Sequence, residues 1–178
     1  KTDIALWRQT DGYWYVLRSE DFSYFTFPFG TAGDIPSPAD FDGDGKADAT
    51  VFRPASATWF ISLSGGGGTT IAQFGAAGDL PVPADYDGDG KTDIAVWRPS
   101  NGTWYRITET EGFYVFPFGQ DGDRPVPADF DGDGKTDIAV WRPSNGNWYM
   151  MLSSGPFYSI TNFGVNGDIP VPSGYIPE

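Results

Sequence analysis

Residues 129–137 read DFDGDGKTD, and the same pattern stands at 40–48 (DFDGDGKAD) and at 85–93 (DYDGDGKTD). Each run puts Asp at loop positions 1, 3, 5 and 9 and Gly at positions 4 and 6. A hard cation with six to eight oxygen ligands needs that density of carboxylates on a tightly turning backbone, and Ca²⁺ suits it better than Mg²⁺, which wants six close ligands and keeps its waters. The runs hold 12 of the 24 acidic residues. Without a metal, each would gather four repelling charges around a single lysine. A solvated Asp-Gly hairpin needs one such pair, not four aspartates at fixed spacing.

Outward from the loops, the chain repeats. The lysines at 1, 46, 91 and 135 set a period of 44 or 45 residues. After each comes an apolar run ending in an aromatic and Arg: IALWR to Arg8, ATVFR to Arg53, IAVWR to Arg98 and IAVWR to Arg142. A second aromatic pair follows at Trp14-Tyr15, Trp59-Phe60, Trp104-Tyr105 and Trp148-Tyr149. A third run closes on Phe-Gly at 29–30, 74–75, 118–119 and 163–164, and Gly-Asp-x-Pro-x-Pro then leads into the next aspartate loop. These short runs, rich in β-branched and aromatic residues and bounded by Gly, Asn and Asp, read as strands. The Gly- and Pro-free stretch Tyr13–Phe27 reads as two strands and a turn, with Glu20 and Asp21 midway. Four short strands per repeat of about 44 residues predict a β-propeller.

The expected fold is therefore all-β: one repeat domain over 1–178, a propeller of four four-stranded blades. Its units fall at about 1–33, 34–78, 79–122 and 123–167, with 168–178 as a closing strand. The first unit has three of its strands and lacks the Pro-Val-Pro strand, while Asp168–Tyr175 is such a strand with no blade after it. Pairing the two, within one chain or between subunits, closes the ring and seals two bare edges.

At Phe-Gly, Gly-Asp-x-Pro-x-Pro-Ala-Asp and D-x-D-G-D-G-K-x-D-I-A-V-W, the chain resembles the FG-GAP/VCBS repeat family, which includes the calcium-bearing blades of integrin α-subunit propellers and many bacterial surface proteins. The resemblance covers essentially the whole chain. It implies that each calcium loop joins a blade's first and second strands, that the protein is extracellular or at the cell surface, and that it serves adhesion, recognition or assembly. Family propellers commonly carry more blades than four. Here the fourth loop is also lost, since Ser173-Gly174-Tyr175-Ile176-Pro177-Glu178 stands in its place.

Three Ca²⁺ sites are expected. The first draws on Asp40, Asp42, Asp44 and Asp48 with the Lys46 carbonyl; the second on Asp85, Asp87, Asp89 and Asp93 with the Lys91 carbonyl. The third draws on Asp129, Asp131, Asp133 and Asp137 with the Lys135 carbonyl. An EF-hand would need a bidentate Glu at position 12, where Val51, Val96 and Val140 stand. A fourth site built on Asp3 and Glu178 would find Gly174 and Ile176 at two ligand positions and is expected to be empty. The calcium is read as structural, locking blades.

The net charge of −13 argues against nucleic acid and anionic membrane as partners. No run reaches the ~18 apolar residues of a membrane-spanning helix. The chain has no Cys and no His, so thiol chemistry and the commonest general base are missing. A start at Lys1 without Met or leader fits a processed chain or a segment of a longer one. Paired carboxylates are the remaining catalytic chemistry, and Glu20, Glu109 and Glu111 offer no convergent pair; the last two flank a turn and read as solvated. The chain is thus read as no enzyme.

The four repeated arginines are expected to stack on a neighbouring Trp or to pair with Asp34, Asp79, Asp123 and Asp168, because a feature of every unit serves the architecture. Aromatics in the variable edge strands (Phe22, Tyr24, Phe25, Tyr114 and Tyr158) are expected to face outward as a partner surface. The expected partners are other copies of the chain, or an extracellular protein or glycan in a lectin-like alternative.

Overall fold

Each repeat folds its apolar runs into one antiparallel sheet. The computed structural model describes residues 2–155 and 158–171, and every regular element among them is a strand. The first sheet has three strands, β1 (Ile4–Arg8), β2 (Tyr13–Leu17) and β3 (Tyr24–Pro28), in that order. The second runs β4 (Ile35–Pro36), β5 (Ala49–Arg53), β6 (Thr58–Ser62), β7 (Thr69–Gln73). The third runs β8 (Leu80–Pro81), β9 (Ile94–Arg98), β10 (Thr103–Thr108), β11 (Gly112–Pro117). The fourth runs β12 (Arg124–Pro125), β13 (Ile138–Arg142), β14 (Asn147–Met151), β15 (Tyr158–Asn162). No helix of the described residues is long and apolar enough to cross a membrane.

The chain divides into two compact units: Lys1–Asp40 with Asp44–Ala77, and Phe41–Gly43 with Gly78–Glu178. Three sheets have the expected four strands, and the first has the expected three. The expected closing strand is not formed over 168–171, and its remainder lies outside the described residues. The reason is visible in the other repeats. Each two-residue strand pairs with the run that follows it, as in Ile35↔Phe52, Leu80↔Trp97 and Arg124↔Trp141, and 168–171 has no such partner among the described residues.

The middle residues of β5, β9 and β13 are buried on both sheet faces, which explains why these runs are continuously apolar instead of alternating. In the second unit Val82, Tyr86, Ala95, Trp97 and Trp104 form a core that also takes in Val140 of the next sheet.

The Phe-Gly motif has a physical cause. The Phe carbonyl accepts the indole N–H groups of both repeated tryptophans: Phe118 takes Trp97 at 3.3 Å and Trp104 at 3.0 Å, and Phe29 and Phe163 do the same. The Gly that follows adopts φ of +113° at Gly119, and a Cβ there would stand 3.2 Å from Val140 of the next sheet. An L side chain is strained on that backbone, and Val140 would have to give way by a few tenths of an ångström to admit it. Indole burial and sheet-to-sheet packing thus meet at one dipeptide.

Candidate metal centres

Each aspartate loop joins the first and second strands of its sheet, from Ala39, Ala84 or Ala128 to a single bridge at Asp48, Asp93 or Asp137. That bridge pins position 9 to the start of the loop. The glycines at positions 4 and 6 all have positive φ, between 78° and 87°, which curls the backbone around the position 1 carboxylate. Asp85 accepts the N–H groups of Gly88 at 2.7 Å and Gly90 at 2.9 Å, and Asp129 those of Gly132 and Gly134 at 2.6 and 3.0 Å. Asp40 accepts from Asp44 and Gly45 in the same way.

The curl brings the carboxylates of positions 1, 3 and 9 together. Asp40, Asp42 and Asp48, then Asp85, Asp87 and Asp93, then Asp129, Asp131 and Asp137 each present three oxygens within 4.8 Å of one another. Position 9 is buried in every loop. In the second loop, burial and then the charges of Asp87, Asp85 and Asp89 push the Asp93 carboxyl up to about 6, against the lowering effect of the Tyr86 N–H bond. Three converging acids of which one is buried and raised are a set that a divalent cation would relieve, and hard oxygens suit Ca²⁺. The residues present therefore fit the ion.

Position 5 stands apart from these triads. Asp44, Asp89 and Asp133 each accept the N–H of the position 7 lysine, at 2.9, 2.8 and 2.8 Å. Asp44 and Asp133 also accept the hydroxyls of Ser64 and Ser153. Burial raises Asp44, but the Lys46 and Ser64 bonds outweigh it and hold the carboxyl below its ordinary range.

Sequence reasoning missed these serines. The hairpin turn after the third strand of each sheet folds over the loop. Ser64 and Ser153 donate their backbone N–H to the position 9 carboxylates at 2.8 and 2.7 Å. Thr110 and Ser154 give their hydroxyls to Asp87 and Asp131, both at 2.6 Å. The signal was present: Ser19, Ser64, Glu109 and Ser153 each lie 16 residues beyond a position 9 aspartate. Asp3, which aligns with position 9 in the first repeat, accepts the same bond from Ser19 at 2.8 Å. Gly174, Ile176 and Glu178 lie outside the described residues.

The motif's Gly and Lys also serve packing. The aliphatic stem of Lys135 crosses Gly88, where a Cβ would come within 3.0 Å of it, and Lys91 crosses Gly43 at 3.1 Å. Position 4 makes room for the lysine of the following loop.

Three of the four repeated arginines pair as expected with the Gly-Asp-x-Pro aspartates, and Asp168 forms no such pair among the described residues. Arg53–Asp34, Arg98–Asp79 and Arg142–Asp123 are two-pronged, with Nε–O distances of 2.8, 2.7 and 2.7 Å. The expected stacking partner is corrected. Each guanidinium lies over the ring after the Trp, namely Phe60, Tyr105 or Tyr149 at 4.3–4.4 Å, because cross-strand register sets that ring beside it while the indoles point into the core. Arg8 lies over Tyr15 and bonds Asp11. Glu109 and Glu111 are not merely solvated: they pair with Lys91 at 2.9 Å and Arg106 at 2.6 Å. Phe22, Tyr24, Phe25, Tyr114 and Tyr158 are exposed, as expected.

Sheets of this order, three of them carrying an acidic loop between their first and second strands, define a repeat protein with a β-propeller-like fold. The FG-GAP-like repeat model matches residues 40–96 and 85–140, and the chain belongs to that family. No curated protein matches it in sequence. Among solved structures it is similar to virginiamycin B lyase from Staphylococcus aureus, with a TM-score of 0.57 and 12% identity over 93% of this chain and 53% of that one. A streptogramin B lyase gives 0.58 and 14% over 92% and 51%, and the dihydro-heme d1 dehydrogenase NirN gives 0.52 and 10% over 89% and 43%. The chain thus spans about half the length of these proteins, and at such identities the likeness is one of fold alone.

Proposed function

We propose that this chain is a calcium-stabilised structural module that works outside the cell or at its surface, in adhesion or assembly, and that it is not an enzyme. The observation that carries the reading is the threefold recurrence of a converging aspartate triad at the same corner of successive sheets. Weak acidic loops fill where calcium is millimolar, which is outside cells, and a metal site repeated in every loop serves the repeat rather than one reaction. Titration calorimetry is expected to find three Ca²⁺ per chain, and two after Asp137→Asn, which keeps an acceptor for Ser153 but removes the charge. No calcium uptake, or three ions still bound by the variant, would overturn the reading.

Self-assembly is favoured by a separate observation. β1 is a sheet edge with Ile4 and Leu6 exposed, and Ile169 and Val171 are exposed at the other end of the described chain. By the register of Leu80↔Trp97, Ile169 of one copy would stand opposite Trp7 of another and donate the strand that the first sheet lacks. Light scattering of the calcium-loaded protein is expected to give a mass that grows with concentration, lost when the chain is cut after residue 167. A strict monomer at every concentration sinks this assembly.

A further inference from the structure

One side chain breaks the repeat. Arg106 occupies the strand position held by Val16, Ile61 and Met150 in the other three sheets, each of which pairs with the second residue of the preceding apolar run. Three apolar residues there say that architecture does not ask for a cation. Arg106 instead lines a cavity of about 160 Å³ in the second unit, between the β10–β11 hairpin and the strands β13 and β14. Its guanidinium lies between two rings, 5.4 Å from Tyr86 and 5.0 Å from Tyr114. One terminal nitrogen binds Glu111 at 2.6 Å. The Nε is buried and has no hydrogen-bond partner, the one such side-chain nitrogen or oxygen among the described residues.

The same cavity is lined by Lys135. The other loop lysines pair with a carboxylate, Lys46 with Asp44 and Lys91 with Glu109, whereas Lys135 makes no ion pair among the described residues. Two cations, one with an unsatisfied donor, thus share a small cavity with the rings of Tyr86, Tyr114 and Phe116. The Nε has almost no accessible surface, so the part of the guanidinium that can meet a bound group is its terminal nitrogens. The acceptor must be compact to enter, anionic to answer both cations, and flat or ring-bearing to lie on aromatic walls.

We infer that this cavity binds a small ring-bearing carboxylate, its oxygens taken by the terminal nitrogens of Arg106 and by Lys135 Nζ and its ring by the exposed side of Tyr114 and Phe116. The site stands independently of the calcium reading, because it uses the Lys135 side chain and not its carbonyl. The chain carries a net charge of −13, so an anion has no general reason to bind elsewhere on it.

The calcium-loaded protein is titrated with benzoate and with D-glucuronate, and with benzyl alcohol and D-glucose as uncharged counterparts, by calorimetry and by NMR shifts of the tyrosine rings. Saturable binding of at least one carboxylate and of neither neutral compound is expected. Arg106→Met, which installs the residue of the fourth repeat at this position, is expected to weaken it about tenfold or more. Lys135→Met provides a second reading with the loop backbone intact, should the first variant lose its fold. The inference is overturned if neither carboxylate binds the wild-type chain, or if both variants bind as it does.

Discussion

Stripping calcium from the chain is expected to cost about 4 kcal/mol of stability at millimolar metal, from ~1.4 kcal/mol at each of three sites with Kd of about 10⁻⁴ M. Set against a typical total of ~5–15 kcal/mol, that is a large share. The physical origin is the crowding of acids. Three carboxylates per loop lie within 4.8 Å of one another, with the position 9 member buried against the sheet. In the third loop all three accept backbone N–H groups, Asp131 from Asp133 and Ser154, and Asp137 from Phe130 and Ser153, the last two at 2.7 Å. A divalent ion would turn this repulsion into a brace between the loop, the second strand and the overlying hairpin turn. For a chain of this length the loss corresponds to a fall in melting temperature of roughly 10 °C. Calorimetric melting in calcium and in excess chelator reads it directly. Magnesium should restore little, since it resists giving up its waters to an irregular oxygen cage. Equal melting temperatures in calcium and chelator would mean that the loops are held by their own hydrogen bonds and the acids are idle.

Much of this arrangement was legible in the sequence, and the reasons differ by element. The sheets could be read because each apolar run is short, bounded by turn residues and repeated four times, so an error in one copy is corrected by the others. The triads could be read because their members lie within nine residues of chain, where glycine-permitted curvature alone sets their distances. The clamp from Ser64, Thr110, Ser153 and Ser154 was not legible, since it joins groups 16–23 residues apart and its residues look like ordinary turn composition. The role of position 5 was obscured for the same reason. Asp44 and Asp133 look like ligands by spacing, and in the structure they accept a lysine N–H and a serine hydroxyl that the spacing does not reveal. The arginine stacking was misjudged because sequence neighbours, such as Trp97 beside Arg98, point to opposite faces of a strand, whereas Tyr105 reaches the same face across the ladder. Arg106 was invisible as a departure until strand register aligned it with Val16, Ile61 and Met150.

Arg98→Met is expected to destabilise the chain by about 3–5 kcal/mol, more than any loop substitution that spares the sheet. Asp79 has 0% of its side chain exposed and is gripped by Arg98 Nε at 2.7 Å and by a terminal nitrogen at 2.9 Å. The arginine itself is 27% exposed and lies 4.3 Å from the centre of the Tyr105 ring, so it is held on one flat face and along its edge. Methionine can replace the stem's packing on Tyr105, but it leaves a carboxylate without counter-charge where water cannot reach it. A double-mutant cycle separates this from simple loss of contact. If the buried charge is the cause, Asp79→Leu added to Arg98→Met should recover part of the loss, because the orphaned anion is then gone, and the two substitutions should be non-additive by more than about 1 kcal/mol. Urea unfolding of the four proteins in excess calcium measures it. A cost below about 1 kcal/mol for Arg98→Met would place the pair with ordinary surface salt bridges. The same pair recurs as Arg53–Asp34 and Arg142–Asp123, so a small effect at one copy would withdraw the repeated ion pair from the list of what holds these sheets to their loops. A large one would make the Gly-Asp-x-Pro aspartate a structural counterpart to the metal: calcium bracing the loop at one end of the first two strands, and a buried guanidinium–carboxylate fork bracing the other.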